Sequence, residues 1–411
     1  MKICFIDSLF CWPPRGGADV DTYNVLLQLR LLGYDISLIT LKTENLTRGN
    51  ISKSFNAFEI SCIEIESLGK RTLDKIQYEI LSKLEIYVPD IIIVGNSFFL
   101  KPVITSWLNW RIPIAWRQYA YELICQKDIQ RFRNNCPCTL DYLSTPNTCR
   151  ECFIKHSRNK FVSLSTDPWL EEYLSAKAYS KDYYSLLMES IKKVKVIWVY
   201  SQPMKNVWEK YHHNVEIIPG GVDINLFRPI EKLKEKQDVI RILASGRIQD
   251  ESKGLIHLIK ACELLREDFP ELELICTSPW QYGLPSWIKF VGWLSYYELP
   301  KIYQSADICV VPSIWEEPFG LVTLEAMASG LPVVVSKIGG LREIIIEGKN
   351  GVFFDPGDPI SLKNKLKELI SNPQLRSEIS KEAKEYVVSN FSWEKIAKNY
   401  YSNEIERIAT N

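Results

Sequence analysis

One short stretch, Pro312–Gly330, constrains this chain more than any other. The apolar run Ile308–Val311 leads into it and predicts a buried strand, and a helix is predicted from about Phe319 to Ser329. Gly330 is placed to end that helix in the left-handed conformation, with Pro332 just beyond it. This strand–loop–helix order places the helix N-terminus at the carboxyl end of a strand. The free backbone N–H groups there favour a bound phosphate.

Two glutamates flank this helix. Glu317 precedes it and Glu325 lies two turns along it, so the two carboxylates are roughly 10 Å apart and cannot share one proton. A carboxylate can accept two hydroxyl protons at once. The pair is therefore suited to opposite ends of one elongated polar ligand, with Glu325 on the vicinal diol of a ribose and Glu317 on a second sugar. An isolated pair with this spacing is more typical of an ordinary surface helix, with Glu317 as a turn residue and Glu325 as a capping or salt-bridging residue.

The residues from Glu317 to Val334, E-P-F-G-L-V-T-L-E-A-M-A-S-G-L-P-V-V, resemble the signature of family 4 of the nucleotide-sugar-dependent glycosyltransferases. The resemblance implies the GT-B fold, an α/β fold of two facing Rossmann-like domains with a cleft between them and a C-terminal helix that crosses back to the first domain. It also implies retention of anomeric configuration and no need for a divalent metal or other cofactor in catalysis. It runs from the first strand to the C-terminal tail and is weaker in the first half.

Length, charge and apolar pattern limit the classes of protein to which this chain could belong. The 411 residues suit two domains, and a formal net charge of zero gives no indication of nucleic-acid binding. The opening residues, M-K-I-C-F-I-D-S-L-F, have too short an apolar run for a secretory signal, and no stretch is long and apolar enough to span a membrane. Eleven cysteines without such a signal indicate a reducing compartment. We therefore expect a cytoplasmic protein.

The N-terminal half is predicted to begin with a βαβ unit: strand Lys2–Ile6, helix Asp19–Leu32 and strand Ile36–Thr40. Gly16 and Gly17 precede the helix, where the backbone can approach an anion closely. A plain turn would use the same residues. The family resemblance implies that this Gly-Gly faces the phosphates of the donor.

The resemblance fails at one place in this half. After the predicted strand Ile112–Trp116 the family usually has a histidine followed by aspartate, and here Tyr119 and Ala120 stand in those places. No catalytic histidine is therefore assigned. Farther on, Trp169–Val194 is predicted to be helical and alternates aromatic residues with lysines. It would suit either a solvated helix packed on its domain or peripheral contact with an anionic membrane surface.

A cysteine-rich insertion is predicted at about residues 125–156. The motifs Cys136-Pro-Cys138 and Cys149-Arg-Glu-Cys152 offer four thiolates on two short loops, a set that suits tetrahedral zinc. Cys125 or His156 could replace one of the four. Four reduced thiols that pack the insertion are the alternative. A zinc ion here would be structural, because transfer from a nucleotide sugar needs no metal-bound water.

A second pair of charges is predicted beside the glutamates. Residues 239–245 form a predicted strand that leads to Gly246 and Arg247, and Lys253-Gly254 opens the next helix. An arginine can hold phosphate oxygens with two hydrogen bonds, and a lysine offers a compact charge. Either residue alone would be an ordinary solvated charge, but together they match the family's diphosphate-binding pair.

The domain boundaries follow from these elements. We expect an acceptor-binding Rossmann-like domain over residues 1–218, a linker over 219–238 that includes the charged tether Lys232–Asp238, a nucleotide-sugar-binding domain over 239–390 and a crossover tail over 391–411.

The predicted reaction transfers a sugar from a nucleoside-diphosphate sugar to a hydroxyl of a glycan, lipid-linked or polysaccharide intermediate. Arg247, Lys253 and the helix N-terminus at Phe319, Gly320 and Leu321 would stabilise the leaving diphosphate. Glu317 would hold the donor sugar and Glu325 the ribose, and the leaving phosphate would take the acceptor proton. A lipid-linked acceptor would place the protein at the cytoplasmic membrane face. Two alternatives remain open: a nucleotide-sugar epimerase on the same scaffold, and a non-enzymatic, metal-stapled binding module.

Overall fold

The protein forms two compact units. The computed structural model describes residues 1–44, 48–109, 111–162, 167–229, 239–279 and 283–410. Unit 1 comprises Met1–Arg131, Thr139–Pro219 and Glu394–Asn411, and unit 2 comprises Phe132–Cys138 and Gly220–Trp393. The predicted tether Lys232–Asp238 lies outside the described residues.

Fifteen strands are present in the described ranges. In chain order they are β1 (Lys2–Ile6), β2 (Asp35–Thr43), β3 (Glu59–Ile65), β4 (Ile91–Val94), β5 (Ile114–Arg117), β6 (Phe132–Arg133), β7 (Cys136–Pro137), β8 (Val196–Val199), β9 (Val215–Ile217), β10 (Arg241–Ala244), β11 (Glu273–Cys276), β12 (Ile288–Phe290), β13 (Ile308–Val311), β14 (Val333–Ser336) and β15 (Val352–Phe354).

The helices of the same ranges alternate with most of these strands. They are α1 (Gly17–Leu31), α2 (Lys70–Tyr87), α3 (Leu100–Trp107), α4 (Pro146–Val162), α5 (Pro168–Ser175), α6 (Lys181–Lys193), α7 (Gln202–Trp208), α8 (Leu255–Leu265), α9 (Leu299–Ser305), α10 (Leu321–Ala328), α11 (Leu341–Ile344), α12 (Pro359–Ser371), α13 (Pro373–Asn390), α14 (Trp393–Ile396) and α15 (Ser402–Thr410), with a 3₁₀ turn at Glu251–Lys253 and a π-helical turn at Ala397–Tyr401.

Each unit is built on one parallel sheet. The strand order is β3-β2-β1-β4-β5-β8-β9 in unit 1 and β12-β11-β10-β13-β14-β15 in unit 2. Neighbouring strands in both orders run parallel, whereas β6 and β7 form a separate antiparallel pair. Both units are therefore doubly wound α/β domains, and the predicted α/β class is confirmed.

The strand sequences explain the parallel arrangement. Strands β4 (I-I-I-V) and β13 (I-C-V-V) are buried along their whole length. Parallel strands are covered by helices on both faces, so they are continuous apolar runs rather than alternating ones. In unit 2 the core includes Leu258 of α8 and Leu366 of α12, both with no exposed surface.

Two predicted helices differ from those observed. The helix predicted from Phe319 begins at Leu321, because Gly320 adopts φ 104° and cannot be its first helical residue. The predicted helix Trp169–Val194 is divided into α5 and α6, with Lys177 between them at φ 53°. The Ser180 side chain then accepts a hydrogen bond from the Tyr183 N–H and starts α6. No helix in the described ranges combines the length and apolar character needed to cross a bilayer.

Candidate active site

The topology of unit 2 creates one favourable ligand position. Strand β10 leads outward to β11 and β12, whereas β13 begins the other half of the sheet, so the winding changes direction between β10 and β13. In open parallel sheets, ligands bind at the carboxyl ends of the strands at such a switch point. Gly246 and Arg247 follow β10, and Pro312–Glu317 follow β13. The fold therefore places the predicted phosphate-binding and sugar-binding residues at one sheet edge.

Glu317 is held by three donors on one oxygen. Its Oε1 accepts from Lys253 Nζ at 2.6 Å, from Trp315 Nε1 at 2.9 Å and from Ser313 Oγ. The Glu317 side chain is only 6% exposed, whereas that of Lys253 is 23% exposed. Because the protein donors converge on Oε1, Oε2 can serve as an acceptor for ligand hydroxyls.

Two glycines let the surrounding backbones approach each other. At Gly254, with φ 72°, a Cβ would lie 2.0 Å from the Pro312 carbonyl oxygen. At Gly339, with φ 53°, a Cβ would lie 2.5 Å from the Glu317 nitrogen. Only glycine fits such close contacts at positive φ. The turns that carry Lys253 and the Gly339-Gly340 pair are thus pressed directly against the Glu317 loop.

The N-terminus of α10 lies in the same loop. Its N-cap, Gly320, contributes no side-chain hydrogen bond, and the Thr323 N–H donates to the Gly320 carbonyl. The N–H groups of Leu321 and Val322 can therefore serve as donors for a ligand. Phe319 is buried, and Gly320 and Leu321 are half-buried. At the other end Gly330 has φ 78° and donates to the Met327 carbonyl, which confirms the predicted glycine stop.

Glu325 is a buried carboxylate inside α10. It is 7% exposed, and its Oε2 accepts a hydrogen bond of 2.9 Å from the Tyr303 hydroxyl. Burial raises the pKa of Glu325 to about 7, while the hydrogen bond from Tyr303 pulls the pKa in the opposite direction. A buried carboxyl group with a raised pKa is characteristic of functional sites.

Arg247 differs from these residues because it is open to solvent. Its side chain is 49% exposed, and its Nε lies 3.6 Å from Asp250 Oδ2. An exposed pair at this separation adds little stability. The guanidinium can therefore turn towards an anion at low cost.

In unit 1, the predicted Gly16 and Gly17 begin helix α1. Gly16 is its N-cap in extended conformation, and a Cβ there would meet no atom within 4 Å. The loop before it is fixed by Asp19, which accepts from the backbone N–H groups of Cys11 and Arg15. Burial raises the pKa of Asp19 to about 6, although these N–H groups oppose the rise. Neither packing nor backbone conformation within unit 1 requires glycine at position 16.

Tyr119, which stands where a family histidine was expected, belongs to the interior of unit 1. Its hydroxyl lies 2.7 Å from Thr22 Oγ1, and Thr22 donates to Asp7 at 3.2 Å. The Glu122 carboxylate accepts from the N–H groups of Tyr119 and Ala120. This geometry makes Tyr119 part of the packing that shapes the loop after β5.

A buried ion pair that was not predicted lies nearby. Arg117 donates to Asp21 Oδ2 at 3.1 Å and to the Ile218 carbonyl at 2.8 Å, and its guanidinium lies 3.9 Å from the centre of the Tyr200 ring. Tyr401, from the C-terminal segment, donates to Asp21 Oδ1 at 3.4 Å. These contacts anchor the C-terminal segment within unit 1.

The structure does not support the predicted zinc site. Cys136 lies on the β6–β7 hairpin, whereas Cys149 and Cys152 are one turn apart on α4 rather than on a loop. None of the four predicted ligands, including Cys138, forms a disulfide. Across the ranges that the structure describes, no three His, Cys, Asp or Glu side chains are grouped to hold a metal ion. The cause is an ambiguity of spacing, since C-x-x-C suits a helical turn as well as a metal-binding loop.

Comparison with known proteins finds a family match over part of the chain. Residues 227–386 match the family model described as glycosyl transferases group 1. An uncharacterized glycosyltransferase of Methanocaldococcus jannaschii, MJ1607, is 33% identical over 248 residues, or 54% of this chain and 62% of that relative. The chain thus spans less than two thirds of that relative's length.

Solved structures show the fold. Sucrose-phosphate synthase from Thermosynechococcus elongatus superposes with a TM-score of 0.70 at 20% identity, covering 100% of both chains. Anabaena Alr3699/HepE in complex with UDP and glucose superposes with a TM-score of 0.69 at 16% identity, covering 99% of this chain and 100% of that one. The fold is therefore that of the GT-B glycosyltransferases, as the sequence predicted.

Proposed function

We propose that this chain, whose residues 227–386 match the model of the glycosyl transferases group 1, transfers a sugar from a nucleoside-diphosphate sugar to a hydroxyl acceptor with retention of anomeric configuration. The observation that carries the proposal is the contact between Lys253 and Glu317 at the switch point of unit 2. It joins a cation suited to phosphate with a carboxylate suited to sugar hydroxyls. Glu325, farther along α10, supplies a second carboxylate for the ribose.

The chain's own groups account for the departure of the nucleotide. Breaking the bond from the anomeric carbon to the diphosphate oxygen leaves negative charge on the diphosphate. Lys253, Arg247 and the N–H groups at the start of α10, around Phe319, Gly320 and Leu321, would stabilise this charge as it develops. Gly16 and Gly17 are proposed to contact the donor through their own backbone N–H groups. Glu317 would hold the sugar through Oε2 while Lys253 shifts towards the phosphate.

The acceptor proton is proposed to leave with the nucleotide. The acceptor oxygen bonds to the anomeric carbon as the diphosphate departs, and a diphosphate oxygen takes the acceptor's proton. Tyr119 is a poor base for this step because burial keeps the pKa of its phenol well above the usual value and its hydroxyl is engaged with Thr22.

The donor and acceptor classes extend the same proposal. The complex of Alr3699/HepE with UDP and glucose favours testing UDP-sugars first, followed by GDP- and ADP-sugars. A glycan or lipid-linked hydroxyl is the proposed acceptor, in polysaccharide synthesis at the cytoplasmic side of a membrane.

Donor turnover tests the function. The protein is incubated with UDP-, GDP- and ADP-sugars, and free nucleotide is followed with and without hydroxyl acceptors. We expect release from one donor class, at least tenfold lower in Lys253→Ala and Glu325→Ala. Lys260→Ala, which removes an exposed lysine of α8, is the matched control and should retain full activity. Conversion of the donor to a different nucleotide sugar without acceptor would indicate an epimerase, and absence of both turnover and donor binding would refute the proposal.

A further inference from the structure

We propose that Tyr303 is a positioning residue that fixes Oε2 of Glu325 and thereby presents the other carboxylate oxygen to the ribose of the nucleotide, a role that rests on the proposed function. Tyr303 lies on α9, outside the strand–loop–helix element that carries Glu325. Its ring has no exposed surface and packs edge-on against Phe227, with ring centres 5.7 Å apart. The phenol is therefore fixed in place before any ligand arrives.

The Tyr303 hydroxyl is a direct donor to Glu325, whose Oε2 accepts its hydrogen bond at 2.9 Å. This bond engages one oxygen of the carboxylate, so the second oxygen can serve as the acceptor for a ligand hydroxyl. Tyr303 itself does not belong to the Glu317–Glu325 motif.

The bond also bears on the charge of Glu325. Burial raises the pKa of this carboxyl group and the Tyr303 hydrogen bond lowers it, so loss of the hydroxyl should raise the pKa further. The titratable groups that face Glu325 are Tyr303 itself and Cys309 of β13, and burial raises the pKa of both. The other elements packed on α10 contribute buried residues that do not ionise: Val333–Val335 of β14 and Ile379, Ala383 and Val387 of α13. Glu325 is therefore the group that titrates near neutral pH here.

The test compares ribonucleotides with nucleotides that lack the diol. Binding of UDP, GDP and ADP is measured by calorimetry at pH 7.5, and the tightest of them is compared with its 2′,3′-dideoxy analogue. A hydrogen bond to a charged group contributes enough for its loss to weaken binding roughly tenfold. We therefore expect Tyr303→Phe to raise the Kd of the ribonucleotide about tenfold and to change that of the dideoxy analogue less than twofold. The acid limb of ribonucleotide binding should also move to higher pH.

Controls separate positioning from folding. Tyr386→Phe removes a hydroxyl from α13 of the same unit and should leave both Kd values unchanged. If Tyr303→Phe does not fold, Phe227→Leu removes the ring that packs against Tyr303; it should loosen the phenol and weaken ribonucleotide binding selectively. Equal losses for both nucleotides, or no loss for either, would overturn the role of Tyr303. If the unaltered protein binds none of the three nucleotides, the proposed function itself fails.

Discussion

Burial of the Glu325 carboxylate should lower the free energy of unfolding, and Glu325→Gln measures the size of this effect. Glutamine keeps the shape of the side chain and can still accept the Tyr303 hydrogen bond through its amide oxygen. It removes the ionisable group. The substitution therefore isolates the free energy of holding a charge at this position in α10.

The magnitude follows from the pKa of Glu325, which burial raises from 4.5 to about 7. The difference, 7 minus 4.5, is about 2.5 units, or about 3 kcal/mol at 1.36 kcal/mol per unit. Because the folded pKa is raised, the native state keeps a proton that the unfolded chain has lost between these two values. The free energy of unfolding therefore falls as the pH rises from about 4.5 to 7, and the full penalty is present above pH 7.

Glutamine brings a cost of its own. Its amide NH₂ lies in a buried site, and this reduces the gain in the free energy of unfolding by about 1–2 kcal/mol. We therefore expect Glu325→Gln to stabilise unit 2 by about 1–2 kcal/mol at pH 8 and to destabilise it by up to about 1 kcal/mol at pH 5, where most of the charge penalty is absent. At about 2–4 °C per kcal/mol for a domain of this size, the apparent Tm should rise by several degrees at pH 8.

Scanning calorimetry of the ligand-free protein at pH 5 and pH 8 measures this difference. Donor binding by the same variant should be lost at both pH values. Glu382→Gln, a half-buried glutamate of α13, is the matched control and should change the Tm equally at the two pH values. A Glu325→Gln effect on Tm that is the same at pH 5 and pH 8 would refute the reasoning.

Three further substitutions test the fold and the site. In urea titrations, Gly254→Ala should lower the free energy of unfolding by at least about 2 kcal/mol more than Gly283→Ala. Both positions have positive φ, but of the two only Gly254 lies against a carbonyl oxygen. Equal losses would contradict this close approach. Gly16→Ala should leave the Tm unchanged, since a Cβ there would have no atom within 4 Å. It should nevertheless raise the KM for the donor several-fold. An unchanged KM would show that Gly16 does not contact the donor. Arg117→Met should lower the free energy of unfolding by about 3–5 kcal/mol because it leaves the buried Asp21 carboxylate without its cation. A change below about 1 kcal/mol would contradict this account of the ion pair.

Much of the fold was predictable because its signals are local. Strands such as Ile91–Val94 and Ile308–Val311 are continuous apolar runs, and Gly330 ends its helix by its own conformational freedom. These features depend on the residues themselves and their immediate neighbours. The β-α alternation then leaves few arrangements other than parallel sheets.

The missed features depend on tertiary contacts. Nothing in the segment L-P-K-I-Y-Q-S distinguishes Tyr303 from an ordinary core tyrosine, because its partner Glu325 is 22 residues away in the chain. The pairing of Arg117 with Asp21 spans 96 residues. The cysteine motifs are ambiguous for a different reason. Their local spacing suits a helix and a metal-binding loop equally, so the spacing alone does not identify a zinc site. The predicted roles of Arg247, Lys253, Glu317 and Glu325 remain proposals.

The contact between Lys253 and Glu317 pairs a cation with a carboxylate inside the proposed donor site. Under the proposed function, a phosphate alone would have to draw Lys253 away and leave the carboxylate without its cation. A nucleotide sugar would offer anionic oxygens to Lys253 and hydroxyls to Glu317 Oε2 at the same time. The ion pair would therefore favour a nucleotide sugar over inorganic phosphate. After transfer, when the sugar has gone, the pair would form again and help to release the nucleotide.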